Sequence, residues 1–436
     1  MTIYNLVSFV GLFVLLGVAW LMSTDRRNIN FRVIIWGLVL QIAFATFIFV
    51  IPAGTSFFLF INDSVVRVLD SASAGAKFLF GRLSLSPGEV NEHGESSLGF
   101  FLAFQVFPAI IFFSALMSIL YYYKIMPTVI RGFSYVFTRF MRVSGAESLV
   151  AASNIFVGIE SALTVRPHLN EMTRSELCTV LTVGMATVSS SVLAIYIFSL
   201  QSVFPTIAGH LISASILSAP AALVISKIIL PESEVPKTLG VQIIPYYQKE
   251  STLFEAIING SNNGVKLIVG IAALLIAVLG LVSLIDLVVG GIGGKVNVFT
   301  GMHIDWSLQG LLGYLFYPFT IVIGVPISDA YNISKIIGER VVVTEVVSYQ
   351  DLANLMEQGL LIHPRSVIVA TYALCGFAHL ASLAIFVGGI SALAPDKKGV
   401  IAGVGFRALI AATLACMMTA CVAGMFIYGD SVLMVR

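Results

Sequence analysis

Runs of about 20 predominantly apolar residues, the length a helix needs to cross the hydrocarbon of a bilayer, recur along this 436-residue chain. They lie at Tyr4–Met22, Val33–Pro52, Leu98–Tyr123, Leu177–Leu200, Ile207–Leu230, Leu267–Val289, Val367–Ala392 and Ala408–Tyr428. In hydrocarbon every backbone N–H and C=O needs a partner within the protein, which only helices and closed barrels provide. The expected fold is therefore an all-α polytopic membrane protein. Composition agrees: 58% of residues are hydrophobic and 11% charged, where a soluble domain carries about 25% charged residues. The net charge of +1 offers no basic face, so no nucleic-acid partner is expected. No HExxH motif and no serine–base pairing occurs in the spans, which argues against an intramembrane hydrolase and leaves no enzymatic chemistry in view. Cys178, Cys375, Cys416 and Cys421 lie in apolar segments without metal-like spacing and read as packing residues. The first run is followed by Asp25, Arg26 and Arg27 rather than a small-residue cleavage site, so it reads as a retained span.

Between the spans, Phe57–Gly81 places Asp63, Arg67, Asp70 and Lys77 among apolar residues, the pattern of a helix lying in the membrane interface. Ser84–Glu95 reads as a loop, and Gly290–Trp306 as a glycine-rich polar connection. Residues 231–266 form the longest polar interval and the best boundary between two halves. The expected organisation is residues 1–97 as scaffold, 98–230 as a first repeat, 231–266 as a cytoplasmic connection and 267–436 as a second repeat. Placing the basic loops inside (Ser23–Arg32, Lys124–Arg142, Ser226–Lys266, Asp396–Arg407) sets both termini on the outer side of an inner membrane.

Two segments are apolar but interrupted. Asn154–Leu169 (NIFVGIESALTVRPHL) carries Glu160 beside Gly158, and Leu308–Val347 carries Pro318, Gly324, Pro326, Asp329, Lys335, Glu339 and Arg340. Carboxylates and irregular backbone at membrane depth survive where they face protein or a watery cavity. Both segments read as re-entrant hairpins, giving about eight transmembrane helices plus two hairpins. The halves also echo each other. Gly184–Ser190 (GMATVSS) matches Gly376–Ser382 (GFAHLAS) 192 residues later, and Leu211–Ser215 echoes Leu409–Thr413. Small residues favour helix packing and resemble one another by chance, but the echo keeps the same order in both halves. An odd number of crossings per half makes such a repeat inverted.

On these residues the chain resembles the concentrative nucleoside transporter family. The family's GAESL-AA-NIFVGQTEAP pattern is met by SGAESLVAASNIFVGIESAL at Ser144–Leu163. Its NEFVAY motif is met by TEVVSY at Thr344–Tyr349, and its ALCGFAN-SS segment by ALCGFAHLAS at Ala373–Ser382. FFSALMSILYY (Phe112–Tyr122), GVPISDA (Gly324–Ala330) and GGISALAP (Gly388–Pro395) also match. The resemblance implies a trimeric importer of nucleosides coupled to sodium, or in some members to protons, with a scaffold around two hairpins. It gives Glu345 the role of accepting ribose hydroxyls, with Phe377, Ser382 and His379 around the sugar; His379 stands where the family has asparagine. It places Glu160 and Ser161 at the base end, where Ile159 replaces the family's glutamine and the tip is one residue shorter. Aligning Glu160 with the family's glutamate takes one deletion; the ungapped fit puts Ser161 there instead. The coupling ion would take the side chain of Asn154, the carbonyl of Val157, the hydroxyl of Thr187 and the carbonyl of Val188. Each has an ordinary reading too: Glu345 closing its hairpin, His379 packed in a core, Thr187 bonded back one turn. No other cofactor is expected, proton coupling through Glu160 or His379 is the alternative, and lipid surrounds the chain. A rival substrate reading is a relative retooled for a nucleobase, modified nucleoside or sugar derivative; a rival class is a receptor without transport.

Overall fold

The computed structural model describes residues 2–427 except 87, 92–93, 248–249 and 302, and these residues are helical and irregular, without a named strand. The chain opens with α1 (Ile3–Leu21), α2 (Phe31–Phe49) and α3 (Pro52–Phe80). Asn30 caps α2 by accepting the Arg32 N–H at 3.1 Å, and Pro52 opens α3 where its missing N–H has no intrahelical partner to lose. A short α4 (Leu102–Gln105) and α5 (Phe107–Tyr122) follow, so the expected third span is broken at Val106. The basic Lys124–Arg142 segment is itself a helix, α6 (Ile125–Met141), pinned at its ends by left-handed Lys124 (φ 61°) and Arg142 (φ 53°).

The first hairpin begins earlier than its polar centre. Ser144 and Glu147 cap each other reciprocally and start α7 (Gly145–Asn154); the return arm is a 3-10 stretch, Ile159–Glu171, containing Pro167. Thr173 and Glu176 repeat the reciprocal cap and start α8 (Arg174–Ala186), which unwinds at Thr187–Ser189 before α9 (Ser190–Leu200). Lys227 Nζ, on α10 (Ile207–Ile229), lies 2.6 Å from Glu147 Oε1 of the first cap and 3.1 Å from Glu232 Oε2, which accepts the Thr173 hydroxyl of the second at 3.0 Å.

The second half starts before the expected boundary. Thr252 caps α11 (Leu253–Thr300), a 48-residue helix that swallows both the span at 267–289 and the expected glycine-rich connection, and ends at left-handed Gly301 (φ 69°). At 1.5 Å per residue it is about 72 Å long, more than twice the hydrocarbon thickness. Glycine costs a helix about 1 kcal/mol against alanine, yet Gly290, Gly291, Gly293 and Gly294 are flanked by Val and Ile and no proline interrupts the run. Gly260 and Gly264 let α11 approach the α5 backbone at Ala115 and Ile111. Next come α12 (Leu308–Val322), α13 (Ile327–Val342) and α14 (Glu345–Glu357). The second hairpin is thus α13–α14, turning at Val343–Thr344, rather than the expected 308–347. α15 (Pro364–Leu374) unwinds at Cys375–His379 into α16 (Leu380–Leu393), and α17 (Lys398–Met425) closes the order.

Among the described residues, seven helical segments are long and apolar enough to cross a membrane; the remaining expected span is the broken α15–α16 pair. The helix order α5–α10 recurs as α11–α17, hairpin and broken helix included. α8, α10 and α17 are buried almost throughout, whereas α1, α2 and α11 expose most of their apolar faces. The two unwound points meet at the centre. A side chain on Gly376 (φ 151°) would come within 2.9 Å of the Ala186 carbonyl and 2.7 Å of Cys416 Sγ, so glycine alone fits.

Candidate functional site

Two hairpin tips and two helix breaks bring the chemistry-bearing residues together. Glycine lets the first tip approach the α8–α9 break, since a Cβ on Gly158 would lie 3.2 Å from Ser189 Cβ. The Ser190 N–H donates to the Phe156 carbonyl at 3.1 Å and ties tip to break. Across from it lie the second tip and the α15–α16 break. Between them a cavity is lined by Gly158, Ile159, Glu160 and Ser189 on one side and by Thr344, Glu345, Phe377, His379 and Ser382 on the other. Its apolar wall comes from Val192, Phe386 and, on α11, Leu267, Ile271, Leu274 and Leu275. Small-molecule sites have this build, an apolar lining with a few placed polar groups.

Glu345 is the polar centre. It is buried at the first turn of α14, where the helix's positive end favours a carboxylate. Its Oε1 accepts the Tyr196 hydroxyl of α9 at 2.7 Å. His379 Nε2 lies 2.9 Å from Oε2, but no donor is aligned with that oxygen. His379 also caps α16: its Nδ1 accepts the Ser382 N–H at 3.2 Å, which places the ring proton on Nε2. Ser382 returns the bond, and its hydroxyl donates to the Phe377 carbonyl. The loop thus holds one acceptor, Glu345 Oε2, and one N–H, His379 Nε2, at the cavity.

Five of the six residues expected to touch a solute line this cavity: Glu160, Glu345, Phe377, His379 and Ser382. Ser161 does not. It is buried behind the tip, its hydroxyl accepting Asn154 Nδ2 at 2.7 Å, because a single step of 3-10 helix is a third of a turn and points it away from Glu160. Glu160 is exposed and also borders a second cavity, with Tyr121, Arg166 and Tyr247, that continues from the first.

The expected ion ligands lie behind the tip. Asn154 ends α7, fully buried, with Nδ2 donating to Val150 and Ser161 and Oδ1 without a partner. Thr187 ends α8, and its hydroxyl donates to the Val183 carbonyl at 2.9 Å. This is the back-bond that sequence reading weighed against ion binding; it leaves the oxygen's lone pairs free, as a cation would need. The Ser190–Phe156 tie sets Val157 and Val188 within a few residues of each other's loops. No cluster of three or more His, Cys, Asp or Glu suited to a metal occurs among the described residues.

Sequence reading missed Tyr196, Thr344 and the α11 wall. Tyr196 sits in an apolar run and nothing in its spacing separates it from a packing residue. Thr344, whose buried hydroxyl lacks a partner, was flagged only as part of a motif.

Comparison with known proteins assigns most of the chain to one lineage. The profile of the Na+ dependent nucleoside transporter C-terminus matches residues 210–424, that of its N-terminus residues 10–83, and a nucleoside recognition ("Gate") profile residues 103–203. The chain is 36% identical to solute carrier family 28 member 3 of Mus musculus over 96% of its own length and 58% of that relative's. It is 36% identical to the nucleoside permease NupC of Helicobacter pylori over 97% of its own length and 98% of the permease. The chain therefore spans somewhat over half the length of the mammalian relative and nearly all of the bacterial one. The solved structure of CNTnw in an inward-facing substrate-bound state superposes with a TM-score of 0.87 at 34% identity, covering 97% of this chain and 98% of that one. A CNTnw variant in an outward-facing state superposes at 0.86 and 34%, over 98% of each chain.

Proposed function

This chain belongs to the Na+-dependent nucleoside transporter family, a multi-pass membrane lineage, and from that premise we propose that it imports a nucleoside or nucleoside-like solute by cation symport with alternating access. The observation that carries the reading is Glu345 Oε2. It is a buried carboxylate oxygen at the cavity wall, 2.9 Å from His379 Nε2 but out of line with it, so lone pairs remain for a solute hydroxyl. A sugar hydroxyl supplies an aligned donor, and a bond to a charged acceptor is among the stronger ones. Phe377 offers a ring face beside it, and His379 Nε2–H a donor to a second hydroxyl oxygen.

Ile159 favours a particular kind of base. Its side chain lines the cavity and packs towards Gly389, so the first tip presents hydrocarbon where the family presents an amide. A pyrimidine edge there would lose a bond, and a purine or modified base that accepts an apolar contact fits better. The orphaned Asn154 Oδ1, with Val157, Thr187 and Val188, suits sodium as the coupling ion, since hard monovalent cations take neutral oxygens at unwound helix ends. Solute at the two tips and ion behind the first would couple through the Gly158–Ser189 approach. Alternating access would then move both hairpins together against α1, α2 and α11, in a homotrimer of the inner membrane with both termini on the outer side.

The test is uptake of a radiolabelled nucleoside and nucleobase panel by purified protein in liposomes, under an inward sodium gradient, an inward proton gradient or neither. Sodium-driven accumulation of ribosyl solutes is expected. Accumulation of nucleobases alone, or of nothing, would refute the reading.

A further inference from the structure

We propose that His379 lets the solute site work only while its ring is neutral, so that a proton and a nucleoside compete for Glu345 Oε2. The proposal rests on the reading of that oxygen as the solute's acceptor. Both ring nitrogens are already committed. Nδ1 accepts the Ser382 N–H at 3.2 Å, and Nε2 lies 2.9 Å from Glu345 Oε2 without being aligned on it. An imidazole that accepts at Nδ1 carries its one proton on Nε2. The ring is buried and its loop is built around it: the His379 N–H donates to the Phe377 carbonyl at 2.9 Å, and the Ser382 hydroxyl donates to the same carbonyl. His210 shows a histidine packed for structure in this fold, with Phe58 and Phe204 at centroid distances of 5.0 Å and the Tyr372 hydroxyl 3.3 Å from Nδ1. His379 instead sits on the cavity wall against a carboxylate.

A second proton on the ring has one place to go, Nδ1, and it acts there in two ways. It sets an N–H against the Ser382 N–H, which removes the cap of α16 and loosens the segment that brings Phe377 and Ser382 to the cavity. It also turns the approach to Glu345 into an ion pair, and a charge-assisted bond is about twice as strong as a neutral one. That bond takes the lone pairs of Oε2 that a solute hydroxyl would use. A charged ring is the better donor to a second hydroxyl, but its one N–H towards the cavity then belongs to Glu345. Both effects oppose the solute. The other titratable and charged groups brought by the neighbouring elements are engaged elsewhere or lie across the cavity. Tyr196 of α9 bonds Glu345 Oε1, Arg340 of α13 donates to the Ala373 carbonyl, and Cys416 of α17 donates to the Cys375 carbonyl. Glu160 faces the ring from the first tip, and the α11 wall is aliphatic. Coupling between two ligands is reciprocal, so a solute that binds better to the neutral ring expels the proton. His379 is then a brake on uptake in acid and not a carrier of protons.

The test is calorimetric titration of detergent-purified wild type and His379→Asn with adenosine and with uridine, from about pH 8 to about pH 5.5, within the range where histidine changes charge. Each titration is repeated in phosphate and in Tris, whose different ionisation heats count the protons exchanged. Wild-type affinity should fall with acidity, by up to about tenfold per pH unit once the ring is charged, with protons released on binding. His379→Asn, which restores an amide, should bind with a level affinity and without that release. A level wild-type profile, an equal slope in His379→Asn, or proton uptake on binding would overturn the proposal. If His379→Asn does not fold, the sign of the wild-type proton exchange decides alone. If neither nucleoside binds at any pH, the transport reading fails instead, and histidine 15N NMR of the solute-free protein decides the role of the ring. Nε2–H at the alkaline end and a second proton gained with loss of the Ser382 contact in acid would support it. Nδ1–H at the alkaline end, or no proton gained, would overturn it.

Discussion

Tyr196→Phe isolates one hydrogen bond at the centre of the site. The ring is fully buried and stacks near Tyr349 with centroids 4.6 Å apart, so phenylalanine keeps the packing and removes only the hydroxyl. What is lost is the 2.7 Å bond to Glu345 Oε1. A hydrogen bond to a charged group contributes roughly 1.5–3 kcal/mol. After the substitution both carboxylate oxygens of Glu345 lack an aligned donor. The solute must then meet a carboxylate free to rotate towards either His379 or the empty Oε1 position. If the whole effect falls on binding, affinity drops by about 10- to 150-fold, at 1.4 kcal/mol per factor of ten. If it falls on the fold, the unfolding temperature drops and affinity stays. Calorimetric titration with the best transported nucleoside, alongside thermal unfolding of the detergent-purified protein, separates the two. Unchanged affinity together with unchanged unfolding temperature would show that Tyr196 does not hold Glu345.

Glu345→Gln should nearly abolish uptake of any ribosyl solute while the protein still extracts as a folded species, because the amide turns a charged acceptor into a neutral one; wild-type uptake would sink the site. Ile159→Gln should strengthen uridine binding several-fold relative to wild type, measured by the same calorimetry, and no gain would mean that residue 159 does not meet the base. Asn154→Ala should raise the half-saturating sodium concentration at least several-fold, and an unmoved sodium curve would place the ion elsewhere. Gly376→Ala should fail to accumulate as folded protein, since its Cβ would press on the Ala186 carbonyl in a conformation that alanine disfavours; normal yield and normal uptake would contradict the crossing of the two breaks.

The all-helical, multi-pass character was legible because bilayer physics leaves a plain signature of apolar runs of fixed length, and polar residues inside such runs mark where the helices turn or break. Boundaries were less so. Gly290, Gly291 and Gly294 signal a loop in water, but Val and Ile around them and a capping glycine only at position 301 let α11 run through. The second hairpin was placed too early because Pro318 looked like a break, yet α12 carries that proline inside its length. Motif likeness singled out Glu345, Phe377 and His379, and the fold brings these three to one cavity. Tyr196 could not be singled out, because its partner lies 149 residues away and only the fold brings them together. Ser161 lies off the cavity wall for a local reason: the return arm is a 3-10 stretch, and its tighter turn points adjacent residues to different sides.

The bonds that Asn5 makes carry a consequence for how the molecule is assembled in time. Its side-chain amide donates to the carbonyls of Gly424, Met425 and Ile427 at 2.9–3.2 Å, and Ser8 meets Ile323 at 2.8 Å. The partners of Asn5 are 419 or more residues downstream. At 5–20 residues per second a ribosome needs roughly 20–80 s to make that much chain. For that interval the Asn5 amide lacks the three carbonyls that hold it in the folded protein. α1 is thus satisfied only by segments made hundreds of residues later, and a nascent chain stalled before residue 424 should leave α1 loosely held and exposed to quality-control proteases.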